Sequence, residues 1–152
     1  MNTATADVDI LLVEDNPSDL ELAKHALQLS NLANRLQVAR DGEEALDFLF
    51  CRGSFGDRDI ASGPRIVLLD LKLPKLDGLE VLRALRADPR TQHLPVVVLT
   101  SSEQESDLIE SYRLGTNSYL VKPVDFGEFT QAVTQLGMYW LLLNRSPPLD
   151  AP

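Results

Sequence analysis

Residues 66–78 read Ile-Val-Leu-Leu-Asp-Leu-Lys-Leu-Pro-Lys-Leu-Asp-Gly, and the fold follows from this stretch. Its first four residues make an unbroken apolar run, the pattern of a short strand covered on both faces of a sheet. A carboxylate, Asp70, comes immediately after, where an unpaired charge would be costly. Asp77-Gly78 then supplies turn and N-cap chemistry. Leu79, Leu82 and Leu85 continue as a helical stripe that stops at Asp88-Pro89. Strand, acid, turn and amphipathic helix together make one unit of a parallel α/β sheet.

The same unit recurs along the chain. Apolar runs at Ile10–Val13, Leu36–Ala39, Val96–Leu99 and Tyr119–Val121 predict four further strands. Asn16-Pro17, a cap residue followed by proline at the first helical position, opens a helix through Leu20, Ala23 and Leu27 to about Ser30. A second helix starts at Asp41-Gly42 and carries Ala45, Leu46, Leu49 and Phe50. A weaker one covers Glu103 to Leu114 and ends at Gly115. The last starts near Asp125, with Phe126, Phe129, Val133, Leu136, Trp140 and Leu143 on one stripe. This alternation predicts a flavodoxin-like, doubly wound, five-stranded parallel sheet of order 2-1-3-4-5 with five helices. Arg52 to Pro64 is the one long connection, and loops of that length are often functional. The expected organisation is a flexible start over 1–7, one folded domain over 8–145 and a flexible tail over 146–152.

At 152 residues the chain suits one domain, most of which run to roughly 100–150 residues. Fourteen basic against 23 acidic residues leave a formal charge of −9, which argues against binding nucleic acid. Cys51 is the sole cysteine, so no internal disulfide forms and a reducing, cytoplasmic setting is expected. The acidic start (Asp7, Asp9, Glu14, Asp15) does not resemble a secretory signal. No apolar run approaches the roughly 18–20 residues of a membrane span.

In open α/β sheets ligands bind beyond the carboxyl ends of the strands, where the strand order reverses. The first strand is followed by Glu14-Asp15, the third by Asp70, the fourth by Thr100 and the fifth by Lys122-Pro123. The second ends less distinctively in Arg40-Asp41. In the order 2-1-3-4-5 the acids Asp15 and Asp70 face each other across the switch point. Three converging carboxylates repel unless a cation is present, and hard oxygen donors point to Mg²⁺. Each residue also has a plainer reading. Acids after strands often cap helices, Thr100 can be a simple strand-end hydroxyl, Lys122 a solvated lysine and Tyr119 a core residue. Their coincidence at matching strand ends favours a site. Asp77-Gly78 reads as turn and cap chemistry alone. Neither His25 nor His93 has a metal-ligand or nucleophile partner at useful sequence spacing, so both read as structural or solvated, and Cys51 reads as a half-buried apolar residue.

The set Val13-Glu14-Asp15, Leu69-Asp70-Leu71-Lys72-Leu73-Pro74, Asp77-Gly78, Leu99-Thr100-Ser101 and Tyr119-Leu120-Val121-Lys122-Pro123 resembles the receiver domain of two-component response regulators, over about residues 8–143. The long loop before the third strand, the Leu-Pro-Lys-Leu-Asp-Gly run and the tail Met138-Tyr139-Trp140-Leu141 look like stand-alone receivers that serve phytochrome-type sensor histidine kinases. The resemblance implies that Asp70 accepts a phosphoryl group from a kinase phosphohistidine. It implies Mg²⁺ on Asp15, Asp70 and the backbone carbonyl of Lys72, with Glu14 acting through a water. Lys122 and Thr100 would bind the phosphoryl group, and Tyr119 would turn into space that Thr100 vacates. Ser101 is small enough to leave room for a donor. Lys72 and Ser102 fall where the family tunes dephosphorylation, and Lys122-Pro123 is expected to be cis. Such a protein is a signalling phosphoacceptor rather than an enzyme.

Rival readings fit less well. A phosphatase of the haloacid-dehalogenase type needs a second aspartate two residues after the first, where this chain has Lys72. A flavodoxin-like electron carrier needs a Ser/Thr/Gly-rich loop where Glu14-Asp15 would repel the FMN phosphate. A phosphate sink or a contact-only receiver is the nearer alternative. With no DNA-binding domain after Leu143, a direct role in transcription is not expected. Met138, Tyr139, Leu141 and Leu142 lie off the apolar stripe of the last helix, so a homodimer through that helix, with the fourth helix and fifth strand contributing, is expected.

Overall fold

The computed structural model describes residues 8–29, 35–60, 63–122, 127 and 131. Its sheet contains β1 (Ile10–Val13), β2 (Leu36–Ala39), β3 (Ile66–Leu69), β4 (Val96–Thr100) and β5 (Ser118–Val121). All pairings are parallel and the order is β2-β1-β3-β4-β5, the doubly wound arrangement expected. Four helices are described: α1 (Pro17–Leu29), α2 (Gly42–Leu49), α3 (Gly78–Ala87) and α4 (Glu105–Arg113). β4 extends one residue past its expected end to include Thr100, and β5 begins one residue early at Ser118. The helix expected from Asp125 lies outside the described residues except for 127 and 131, which are both helical. The expected flexible ends also lie outside them. No described helix is long and apolar enough to cross a membrane.

The two-residue strand period divides the core. Ile10, Leu12, Ile66, Leu68, Val97 and Leu99 face Leu20, Ala23, Ala26 and Leu27 of α1. Leu11, Val13, Val67, Leu69 and Val96 face the opposite way, against Ala45, Phe48 and Leu49 of α2 and Val81, Leu82 and Leu85 of α3. Helices on both faces explain why the strands read as continuous apolar runs rather than alternating ones. α4 is held more loosely. Ser111 is its one buried residue, while Leu108, Ile109 and Tyr112 are exposed. Arg86 of α3 ties its end down, donating to the carbonyls of Leu114 (2.6 Å) and Leu94 (2.7 Å).

The long connection after α2 is pinned to that helix. It contains a 3-10 turn at Gly53–Phe55, and Phe55 packs edge-on against Phe48 at 5.1 Å. The Arg58 guanidinium lies 3.6 Å from the Phe48 ring centroid and also donates to the Phe48 carbonyl. Cys51, half-buried, sits beside the same guanidinium.

Register carries the strand ends to one edge. Asp70 N–H donates to the Val13 carbonyl (3.0 Å), and Lys122 N–H to the Thr100 carbonyl (2.7 Å). The segment after Asp70 is clamped by two helix-starting glycines. A Cβ on Gly78 would fall 2.2 Å from the Asp70 carbonyl oxygen, and one on Gly42 would fall 1.9 Å from the Leu76 carbonyl oxygen. Gly78 therefore does more than the turn chemistry assigned to it from sequence. Its missing side chain lets α3 approach the backbone of the strand-end acid. Helix propensity alone favours alanine by about 1 kcal/mol. Backbone overlap outweighs this, so Gly42→Ala and Gly78→Ala should each destabilise the protein by about 2 kcal/mol or more in urea unfolding. Unchanged or increased stability would show that the clamp has slack.

Candidate functional site

Glu14, Asp70 and Thr100 are polar residues buried at the carboxyl ends of β1, β3 and β4, at 1%, 5% and 0% exposure. Asp15 is exposed beside them. Carboxylate oxygens of Glu14, Asp15 and Asp70 lie within 4.8 Å of one another. Lys122, one residue past β5, extends into this cluster. Its Nζ donates to Glu14 Oε1 (2.7 Å), Asp19 Oδ2 (2.8 Å) and Asp70 Oδ2 (3.3 Å).

Backbone amides complete the setting. Asp70 Oδ1 accepts from the Lys72 N–H (3.2 Å), and Glu14 Oε2 from the Asn16 N–H (3.2 Å). Asn16 in turn caps α1, its Oδ1 accepting from the Asp19 N–H (3.0 Å). Burial pushes the Glu14 carboxyl up to about 7; the Lys122 hydrogen bond opposes this and the charge on Asp70 adds to it. Desolvation pulls Lys122 down, but bonds to Asp19 and Glu14 and the charge of Asp70 prevail, so its ammonium stays well above its ordinary value. One cation therefore faces several acids, and the cluster favours a further positive charge.

The donor set suits a hard divalent cation, since carboxylates from two strand ends converge and Asp15 faces open space. A cleft of about 410 Å³ runs beside them, lined by Asp15, Leu71, Lys72, Leu73, Pro74, Asp77, Leu79 and Asp107. Lys72 and Asp15 thus share one cavity next to Asp70.

Thr100 and Tyr119 both engage Ser102. Thr100 Oγ1 accepts from the Ser102 N–H (3.3 Å), and the Tyr119 hydroxyl donates to the Ser102 carbonyl (3.1 Å). The Ser102 hydroxyl donates to Asp107 Oδ2 (2.5 Å) and accepts from the Gln104 N–H (3.3 Å) at the start of α4. Ser102 is 2% exposed, so its side chain serves the helix start and does not open to solvent.

The structure thus gathers Glu14, Asp15, Asp70, Lys72, Thr100 and Lys122 at one edge, with Tyr119 one step away. Pro123, expected in a cis peptide, lies outside the described residues, as do Met138, Tyr139, Leu141 and Leu142. Asp19 was not anticipated. In sequence it is an ordinary first-turn acid, three residues after its cap, and only the tertiary fold brings Lys122 to it.

The model of the response regulator receiver domain matches residues 10–134. The chain belongs to that family. Response regulator Rcp1 of Synechocystis sp. is 39% identical over 132 residues, covering 87% of this chain and 88% of its own length. The Mn²⁺-bound crystal structure of Rcp1 aligns with a TM-score of 0.81 at 38% identity, covering 93% of this receiver and 99% of that chain. The phosphorylated cyanobacterial phytochrome response regulator RcpA gives a TM-score of 0.82 at 39% identity, with coverage of 93% and 99%. The bacteriophytochrome response regulator AtBRR is 54% identical, with a TM-score of 0.73 and coverage of 92% and 99%. The receiver is therefore similar to phytochrome response regulators, and its acidic cluster is of a kind that binds divalent metal.

The raised Glu14 carboxyl has a consequence for stability. Between pH 4.5 and about 7 the folded receiver holds a proton that the unfolded chain has released. Metal-free stability should therefore fall as pH rises through that window, by at most about 3 kcal/mol at 1.36 kcal/mol per pH unit. Urea unfolding without divalent cation should show this slope, and Glu14→Gln should flatten it. Stability that rises over the same window would mean that ion pairing, not burial, governs Glu14.

Proposed function

We propose that this receiver is a cytoplasmic signalling protein that accepts a phosphoryl group on Asp70 from a phytochrome-type sensor histidine kinase, with Mg²⁺ as its cation. The observation that carries the reading is the Asp70 carboxylate, buried at the switch point between a second acid pair and the Lys122 ammonium. Asp15, Asp70 and the Lys72 carbonyl would hold Mg²⁺ directly, and Glu14 through a water. When bound, the ion neutralises charge on phosphoryl oxygens during transfer.

An Asp70 oxygen forms the new bond to phosphorus as the bond to the donor imidazole nitrogen breaks, and the imidazole leaves with that electron pair. The Lys72 N–H on Oδ1 and Lys122 near Oδ2 fix the carboxylate plane, so the attack geometry is prepared beforehand. Lys122 then meets a phosphoryl oxygen. As the Thr100 hydroxyl turns to the phosphoryl group, it leaves the Ser102 N–H without its acceptor. Tyr119 holds the carbonyl of the same residue, and the Ser102 hydroxyl anchors the start of α4. Phosphorylation thereby reaches the loosely packed α4 and its exposed Leu108, Ile109 and Tyr112.

Incubation with Mg²⁺ and acetyl phosphate, followed by intact mass, should show one added phosphoryl group that is absent in Asp70→Asn. No adduct, or an equal adduct in the variant, would overturn the reading. A homodimer through Met138, Tyr139, Leu141 and Leu142 is part of the same proposal. Light scattering should report a dimer that Leu141→Glu with Leu142→Glu converts to a folded monomer; a monomeric wild type at tens of micromolar would remove the dimer.

A further inference from the structure

An ammonium has three hydrogens, and Lys122 spends all three on carboxylates. The two short bonds go to Glu14 (2.7 Å) and Asp19 (2.8 Å), and the long one to Asp70 (3.3 Å). The three acids differ sharply in exposure: side chains of Glu14 and Asp70 are 2% and 6% exposed, that of Asp19 34%. Asp19 sits in the first turn of α1, where its own N–H is fixed by the Asn16 cap. Among the described residues it is the one partner of Lys122 that water can reach freely.

We propose that Asp19 is a positioning residue that draws the Lys122 ammonium away from Asp70 and releases it when a phosphoryl oxygen arrives. This rests on the reading of Asp70 as phosphoacceptor. A phosphoryl oxygen on Asp70 takes over the Lys122 hydrogen that Asp70 holds at 3.3 Å, and to shorten that bond the ammonium must draw away from Glu14 or Asp19. Abandoning Glu14 would leave a buried charge unpaired, the costlier choice. Letting go of Asp19 leaves a carboxylate that water solvates at once. Before transfer, the pull of Asp19 serves a second purpose. It keeps the ammonium from closing on Asp70 and competing with a cation for the Asp70 oxygens. Asp19 thus strengthens cation binding and holds back capture of the phosphoryl oxygen, two effects of opposite sign.

That opposition separates positioning from a merely structural part. Mg²⁺ affinity is measured by calorimetry on the full chain, and the half-saturating acetyl phosphate concentration by phosphorylation at saturating Mg²⁺. In Asp19→Asn the Mg²⁺ dissociation constant should rise about three- to fivefold while the half-saturating acetyl phosphate falls by a similar factor, the range of a partly exposed ion pair. Glu21→Gln, one charge fewer on the exposed side of the same helix, should move neither, and Asp19→Glu should restore both. Both quantities worsening together in Asp19→Asn, or matching Glu21→Gln, would overturn the proposal. If wild-type receiver takes no phosphoryl group, the phosphoacceptor reading fails by itself, and the Mg²⁺ titration still decides whether Asp19 holds Lys122 back.

Discussion

A single ammonium shared by three carboxylates is the constraint on which this receiver depends. Lys122 follows β5, Glu14 follows β1, Asp70 follows β3, and Asp19 lies in the first turn of α1. Their side chains meet only if the strands hold the order β2-β1-β3-β4-β5 and the register that aligns their ends. Removing one partner from a buried pair costs about 3–5 kcal/mol, because the survivor is left charged and dry. Yet the cluster is not neutral: acids outnumber the lysine, and burial raises Glu14 towards protonation. Such a site is stable enough to persist and sufficiently short of positive charge to favour a cation.

The same edge is wired to the molecular surface through Ser102. Thr100 holds its amide, Tyr119 its carbonyl, and its hydroxyl anchors the first turn of α4. A change in what Thr100 bonds to cannot leave the loop unaffected. On the other side, Gly78 packs α3 so closely against the Asp70 backbone that the segment from Leu71 to Asp77 has little freedom. One flank of the acid is rigid and the other is held by a few exchangeable bonds, a division suited to converting a local charge change into a surface change.

The central strands β1, β3 and β4 were legible because they are buried on both faces, which writes at least four apolar residues in a row, and three of the five strands have the bounds read from sequence. The strand-end residues were legible for a related reason: a charge directly after such a run has to have a partner. Less was readable where the cause is tertiary. Asp19 looks like any first-turn acid, and nothing local marks it as a partner of a residue more than a hundred positions away. Gly78 reads as a turn residue, because the missing Cβ matters only once Asp70 lies beneath it. The part that the buried Ser102 hydroxyl plays at the start of α4 is likewise visible only in the fold.

The most direct test of the account is the thermal melting of Lys122→Met at pH 8, with and without Mg²⁺. The methionine keeps the length of the side chain and removes its charge. Without divalent cation, Glu14 and Asp70 are left facing each other, and the melting temperature should fall by roughly 10 °C, the size expected for breaking a buried ion pair. Mg²⁺ should recover most of that loss, because a cation replaces the missing charge. A variant that melts like wild type without Mg²⁺, or a loss that Mg²⁺ leaves untouched, would contradict the account.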